Sequence, residues 1–363
     1  MTYKPLGTIC IFADGDGEMI IKTVKKFIRQ TNNQWCLLIL NIKTDTSQCM
    51  GDKIMDAAEY SPLVHYKFLE DEETAAFIEK IKTARFWKMF CFAMETASTD
   101  FIFFCGELCE PFLNKLNMLA NSLRDSNEVA IRTLVGRKPN SLGPISDKQD
   151  RTFGSGEGIF DFGLSGFYLD GLIYNIRVLR QTDILNRLKN NFRSKRESPH
   201  VHLNIMISSR YRTRFLGKVL SEEIVEPHQK RMEADHFEFN SYGNRCDQIV
   251  SFRNALFESF ENSQKYLGKQ YFDLESFYSS YVKLSLQIAK IMVENDKETY
   301  KGHMTNIELV MKSFMVFCIG AVEPLPEYSN YQNFITNEIS YGMENLLKEI
   351  RSQEISKENL IAS

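Results

Sequence analysis

Thr8-Ile9-Cys10-Ile11-Phe12-Ala13-Asp14-Gly15-Asp16-Gly17-Glu18-Met19-Ile20-Ile21-Lys22-Thr23-Val24 is the stretch on which the fold turns. Its first five residues form a continuous apolar run, the pattern of a strand buried on both faces. Ala13 to Gly17 then form a turn rich in glycine and aspartate. Beyond it, Ile20, Ile21, Val24, Phe27 and Ile28 recur at helical spacing with lysines between them. Asp16 is placed to cap that helix, and Glu18 suits the positive end of its dipole.

The same alternation continues outward. Trp35–Leu40 predicts a second strand and Leu63–Phe68 a third. A long helix is expected from Glu73 to Ala97, broken near Thr83, followed by a buried strand at Phe101–Cys105. A helix at Pro111–Leu123 and a strand at Glu128–Val135 complete the series. Strands alternating with helices imply an α/β fold with a mainly parallel sheet flanked by helices. Gly136–Gly158, with five glycines and two prolines, reads as one long loop, and Ser165–Tyr174 as a short hairpin or strand. From about Asn175 onward nearly everything reads as helix, with clear stripes at Val250–Tyr266, Leu274–Val293, Ile307–Cys318 and Phe334–Ile350. The charged stretch Glu222–Glu238, which holds Pro227, marks the boundary between an α/β domain at 1–225 and a helical C-terminal domain at 226–363.

Composition narrows the function. Lys+Arg 44 against Asp+Glu 47 leaves a net charge of -3, so no whole-chain basic field exists to bind nucleic acid. The eight cysteines contain no CxxC pair and sit mostly in apolar runs, as buried free thiols in a reducing compartment do. The N-terminus lacks a signal-peptide pattern, and the longest apolar stretch, Phe314–Val322, is far short of a membrane span. The expected location is therefore cytoplasmic, with peripheral contact at the inner face of the membrane as the one form of membrane association. No GxGxxG, P-loop, HExxH or GxSxG motif occurs, which argues against dehydrogenase, NTPase, zincin and α/β-hydrolase readings.

An open parallel sheet binds ligands beyond the carboxyl ends of its strands. Three polar segments follow the expected strands there: Ala13–Glu18, Asn41–Asp45 and Gly106–Glu110. This much predicts a ligand site without naming the ligand.

The order strand, turn Ala13–Gly17, helix ending at Gln30 and strand Trp35–Leu40 resembles the family-2 glycosyltransferases of GT-A fold. Ala93–Phe104 resembles the helix, small polar turn and strand that lead into that family's metal-binding acidic motif. Ser165-Gly166-Phe167 and Ser198-Pro199-His200-Val201-His202-Leu203 look like the abequosyltransferase branch, and the likeness covers roughly residues 6 to 220. It implies transfer of a sugar from a nucleotide-sugar donor to a glycan or lipid-linked glycan acceptor, with inversion. It also implies that Phe12, Ala13, Asp14, Glu18, Asn41 and Lys43 hold the base and ribose. The DxD motif is replaced by Gly106-Glu107-Leu108-Cys109-Glu110, so Glu107 is the main carboxylate left for Mn²⁺ or Mg²⁺, with Glu110 a weaker one. Cations such as Lys88, Arg137, Lys138 and Arg151 are the alternative to a metal. A general base is expected at Glu197 or His200, with His202 pointing elsewhere. Basic clusters at Lys189–Arg196 and at Arg210, Arg212, Arg214 and Lys218 suit a diphosphate, an anionic glycan or a lipid phosphate, or are a solvated face. The helical domain is expected to cover the acceptor side or to join two copies. Against this stands a different class, a nucleotide-sugar-binding or scaffolding protein with a degenerate GT-A domain and no turnover.

Overall fold

The computed structural model describes residues 5–13, 17–29, 34–41, 47–69, 82–106, 109–136, 150–163, 169–190, 199–223, 242–266, 272–294 and 307–361. The chain divides into two compact units, Met1–Glu226 and Pro227–Ser363.

The first unit is a nine-stranded mixed sheet. In chain order its elements are β1 (Gly7–Ala13), α1 (Gly17–Ile28), β2 (Trp35–Asn41), α2 (Ser47–Ala57), β3 (Val64–Phe68) and α3 (Lys82–Thr96). There follow β4 (Phe101–Gly106), β5 (Cys109–Pro111), α4 (Leu113–Arg124), β6 (Ala130–Gly136), β7 (Arg151–Phe153) and β8 (Leu172–Asn175). The short α5 (Ile176–Leu179), then α6 (Ile184–Asn190), α7 (Pro199–Ser208) and β9 (Thr213–Glu223) close the unit. The strand order is β3-β2-β1-β4-β8-β6-β9-β5, with β7 also pairing with β9. β3, β2, β1 and β4 are mutually parallel, as is β6 with β9, while β8, β5 and β7 run against their neighbours.

Both faces of the parallel half are dry, which is why its strands are apolar throughout. One face presents Ile9, Ile11, Leu37, Ile39 and Phe103 to α1, α2 and α4. The other presents Cys10, Leu38, Leu40, Ile102 and Phe104 to α3, α6 and α7. Phe104 stacks on Phe90 at 5.1 Å and meets Phe12 and Tyr174 edge-on at 5.7 and 6.0 Å. At the other end of β1, Gly7 lies under the Trp35 indole, and a Cβ there would fall 2.3 Å from the ring. Thr99 donates to the Phe101 carbonyl and so accepts from Thr8, which leaves the Thr8 oxygen to accept from the Cys36 thiol at 3.2 Å. This buried polar chain joins the starts of β1, β2 and β4.

Several elements differ from the sequence expectation, which places no element at α2 and no strand at β5. The helix expected at Pro111 begins at Leu113, and Pro111 ends β5. The expected loop Gly136–Gly158 contains β7, whose three residues pair with Phe215, Arg214 and Thr213. The run read as all helix after Asn175 contains the 11-residue β9. Its alternation is broken: between Thr133 and Leu134 of β6 the partner jumps from Leu216 to Val219, and a second shift follows before Ser221. Bulges of this kind erase the period-two signal by which a strand is read. Of the long helix expected from Glu73, the described part is Lys82–Thr96; the remainder lies outside the described residues.

The second unit contains four described long helices: α8 (Tyr242–Tyr266), α9 (Leu274–Glu294), α10 (Ile307–Gly320) and α11 (Tyr328–Ile361). Asp273 accepts from the Ser276 N–H at 2.8 Å and caps α9, a bond that lowers its carboxyl pKa. Tyr281 donates to the Cys318 carbonyl at 2.7 Å, Tyr278 donates to the Pro326 carbonyl at 2.8 Å, and Arg253 donates to the Ala321 carbonyl. Burial pushes the Cys246 thiol up to about 11 and raises Cys318 and Tyr281 above their ordinary values.

Two outcomes follow. Both tryptophans lie buried in the first unit, so their fluorescence reports its unfolding. Phe104→Ala should lower the unfolding free energy read from that signal in urea by about 3–5 kcal/mol. In the helical unit, thiols protonated in the fold ionise when unfolded, so the native state holds more protons above the unfolded thiol pKa of about 8.5. Helix loss in urea, followed by circular dichroism from pH 8 upward, should therefore become easier by about 1.4 kcal/mol per pH unit per buried thiol. Cys318→Ala should remove one thiol's share of that slope.

Candidate functional site

The parallel register brings three strand ends to one edge. Ala13 of β1 faces Asn41 of β2, Asn41 faces Phe68 of β3, and Phe12 of β1 faces Gly106 of β4. The described chain leaves the sheet at Ala13, Asn41 and Gly106 and resumes at Gly17, Ser47 and Cys109. Asp14, Lys43, Glu107 and Glu197 lie outside the described residues, as do Asp16, Arg137 and Lys138.

Asn41 is buried, and its amide donates to the Tyr66 hydroxyl at 3.1 Å, with the Met50 sulfur 3.6 Å away. The amide thereby ties the end of β2 to β3 and to α2. Gly51 makes room for this: a Cβ there would come within 2.9 Å of the Tyr66 ring. Burial raises the Tyr66 pKa, and the Asn41 bond partly opposes that rise. Ala13 is buried, Phe12 is half-buried against Phe104, and Glu18 is exposed in the first turn of α1. Phe12, Ala13, Glu18 and Asn41 are thus grouped at the carboxyl edge. Lys88 lies half-buried on α3 next to Trp87.

The second expected group lies on α7. Its helix starts at Pro199, and all ten residues are buried, His200 and His202 included. Two histidines two positions apart point to different sides of a helix, yet both are covered because the helix is enclosed on every side. The His202 ring lies edge-on to Trp87 at 6.4 Å. Tyr174 on β8 donates to Asn204 Oδ1 at 2.8 Å, and its hydroxyl lies 3.5 Å from the His200 carbonyl oxygen. This bond holds α7 against the sheet. Burial raises the Tyr174 pKa and pushes the nearby Arg132 guanidinium down to about 10, against the pull of Tyr174 and Asp170.

Tyr66, Arg132, Tyr174 and Asn204 escaped the sequence reading. Arg132 had a visible signal: it is the one charged residue within the apolar strand Ala130-Ile131-Arg132-Thr133-Leu134. The others pair across distant segments and carry no local mark.

Several expected phosphate or metal ligands are engaged elsewhere. Glu110 forms an ion pair with Lys26 of α1. Arg151 pairs with Asp161 at 3.3 Å and stacks over Phe153. Arg210 pairs with Asp183 and Arg214 with Asp150, at 3.0 and 2.8 Å. Arg214 and Lys218 lie on strand β9, so the second basic cluster is not a helical face. Among the described residues no group of three or more His, Cys, Asp and Glu is placed to hold a metal ion. No described helix is long and apolar enough to cross a membrane.

The structure of S. aureus TarS 1-349 in complex with UDP-GlcNAc is similar to this chain with a TM-score of 0.51 and 11% identity, over 94% of this chain and 92% of that one. The fold is GT-A-like. S. aureus TarS 1-349 without that ligand gives a TM-score of 0.46 at 10% identity, over 94% and 91% of the two chains. The mannosyltransferase PcManGT from Pyrobaculum calidifontis, in complex with GDP-Man and Mn²⁺, gives 0.40 at 11% identity, over 95% and 88%. At these identities the likeness is one of fold. No protein-family model matches the chain, and no curated protein matches it by sequence.

The Asn41–Tyr66 bond gives a direct test of how the edge is held. Asn41→Ala and Tyr66→Phe should each lower the stability of the first unit by about 1 kcal/mol. The double variant should lose less than the sum, with a coupling of about 0.5–1.5 kcal/mol in a urea double-mutant cycle followed by tryptophan fluorescence.

Proposed function

We propose that this chain is a glycosyltransferase that moves a sugar from a nucleotide-sugar donor to a glycan or lipid-linked glycan acceptor in surface polysaccharide synthesis. The observation that carries the reading is the meeting of β1, β2 and β4 at one carboxyl edge of a GT-A-like sheet. That edge is where an open α/β sheet takes its ligand. The fold's neighbour TarS holds UDP-GlcNAc, which supports a nucleotide-sugar donor here. Placement in family 2 and in the abequosyltransferase branch belongs to the same proposal and is supported by the residue order 6 to 220.

In this reading Phe12, Ala13, Asp14 and Glu18 receive the base and ribose from the β1 side, and Lys43 from the β2 side. Asn41 holds the end of β2 in place through Tyr66. Lys88 offsets phosphate charge. Glu107 is the carboxylate proposed for a divalent cation, Mn²⁺ or Mg²⁺, which when bound would neutralise the departing diphosphate. The acceptor hydroxyl oxygen attacks the anomeric carbon from the face opposite the nucleoside diphosphate. A new C–O bond forms as the bond to the phosphate oxygen breaks, and the hydroxyl proton passes to a carboxylate, which inverts the centre. Glu197, just ahead of the α7 start at Pro199, is favoured for that base over His200, a residue only 3% exposed.

A second reading is favoured by one observation, the replacement of the acidic motif by Gly106-Glu107-Leu108. In it the protein binds nucleotide sugar without turning it over.

The deciding experiment measures thermal shift and nucleotide release over UDP-, GDP-, CDP- and dTDP-sugars, with and without Mn²⁺. A transferase should be stabilised by sugars of one base, by about 2.7 kcal/mol at a hundredfold excess over Kd. It should also release that nucleotide, and Glu197→Gln should slow release about 100-fold or more with donor binding retained. Binding with no release in the presence of candidate acceptors selects the second reading. Absence of any donor binding overturns both.

A further inference from the structure

At the opposite end of the parallel strands lies a cavity of about 400 Å³, lined by Pro5, Leu6, Asp100, Phe101, Arg124 and Arg177. Leu6 immediately precedes β1, and Phe101 begins β4. The seven residues of β1 separate this cavity from the carboxyl edge by about 20 Å. A small ligand in one site cannot reach the other.

The two arginines arrive from opposite faces of the sheet. Arg124 is the last residue of α4, which packs through Leu116, Leu119, Ala120 and Leu123 on one face. Arg177 lies in α5, whose Ile176 and Leu179 pack on the other face. Its backbone is held in place: the N–H groups of Ile176 and Arg177 both donate to the Asp100 carbonyl, at 2.8 and 3.3 Å. The N–H groups of Asp100 and Phe101 both donate to the Leu6 carbonyl, at 3.0 and 3.2 Å. The cavity floor is therefore rigid backbone, while both arginine side chains are exposed at its rim.

Among the described residues neither guanidinium takes part in an ion pair or a side-chain hydrogen bond, in contrast to Arg151, Arg210 and Arg214. Two such cations on one cavity repel each other, and an anion between them removes the repulsion. Guanidinium forks match phosphate oxygens in geometry as well as charge. Among the described residues Asp100 is the single carboxylate in the lining; it disfavours a bare anion and accepts hydrogen bonds from hydroxyl groups. Pro5 and Leu6, both half-buried, offer a small apolar surface to the C–H face of a sugar ring. The volume lies at the lower end of the range for small-molecule pockets, about 300–1,000 Å³.

We infer that this cavity is a second ligand site, separate from the proposed donor edge, and that it takes a small phosphorylated sugar. The phosphate sits between Arg124 and Arg177, and a ring hydroxyl donates to Asp100.

The test is calorimetric titration of the full chain at low ionic strength with glucose 1-phosphate, glucose 6-phosphate, inorganic phosphate and glucose. It is run with and without saturating UDP, the nucleotide proposed for the carboxyl edge on the likeness to TarS. One of the two sugar phosphates should bind saturably and unchanged by UDP, inorganic phosphate more weakly, and glucose not measurably. Arg124→Ala and Arg177→Ala should each weaken the sugar phosphate about tenfold or more, with circular dichroism unchanged. Asp100→Asn should narrow its advantage over inorganic phosphate. Absence of saturable binding, or binding unaffected by both arginine variants, overturns the site. Displacement by UDP that Arg124→Ala and Arg177→Ala leave unchanged would assign the binding to the carboxyl edge and overturn it equally. Phosphate binding as tightly as either sugar phosphate would overturn the sugar assignment.

Discussion

Burial of β1, β2 and β4 on both faces is the constraint from which the rest of the first unit follows. A strand with helices on each side can carry almost no polar side chain in its middle, so polar groups gather at its two ends. At the starts of these strands, Cys36, Thr8 and Thr99 form a chain of hydrogen bonds that ends on the Phe101 carbonyl. At the far ends, Asn41 reaches Tyr66, and the chain leaves the sheet from three adjacent strands within one residue of register. The proposed ligand edge is thus a geometric consequence of how the core is covered.

The second half of the sheet obeys a different rule. Here α7 is enclosed on all sides, and its polar residues must find partners inside the protein. Tyr174 serves Asn204, and Arg132 sits with Asp170 and Tyr174 in the same interior. A helix seated this way is located by directional bonds as well as by packing. Its first residue, Pro199, therefore has a fixed position against β8.

Charge on this chain divides into groups already balanced and groups that are not. Arg151, Arg210, Arg214 and Lys26 each have a carboxylate partner, and their contribution is mainly local order. Arg124 and Arg177 share a cavity without such a partner among the described residues. In the sequence all six look alike, since a basic residue in an amphipathic or loop segment carries no mark of what lies across from it.

The pattern of apolar runs by itself determined the parallel strands β1 to β4, the helix α1, the described part of α3 and the four helical stripes of the second unit, but not α2. The reason is that these elements bury whole faces, and burial of a face imposes a period on the sequence. Only the tertiary structure decided β7 and β9, where bulges break the period, and the burial of His200, which looks like an accessible base when read alone. It alone paired Asn41 with Tyr66, 25 residues apart, and Tyr174 with Asn204, 30 apart. Side-chain hydrogen bonds between distant segments depend on where the backbone has already been placed by packing, and no local sequence signal records that placement.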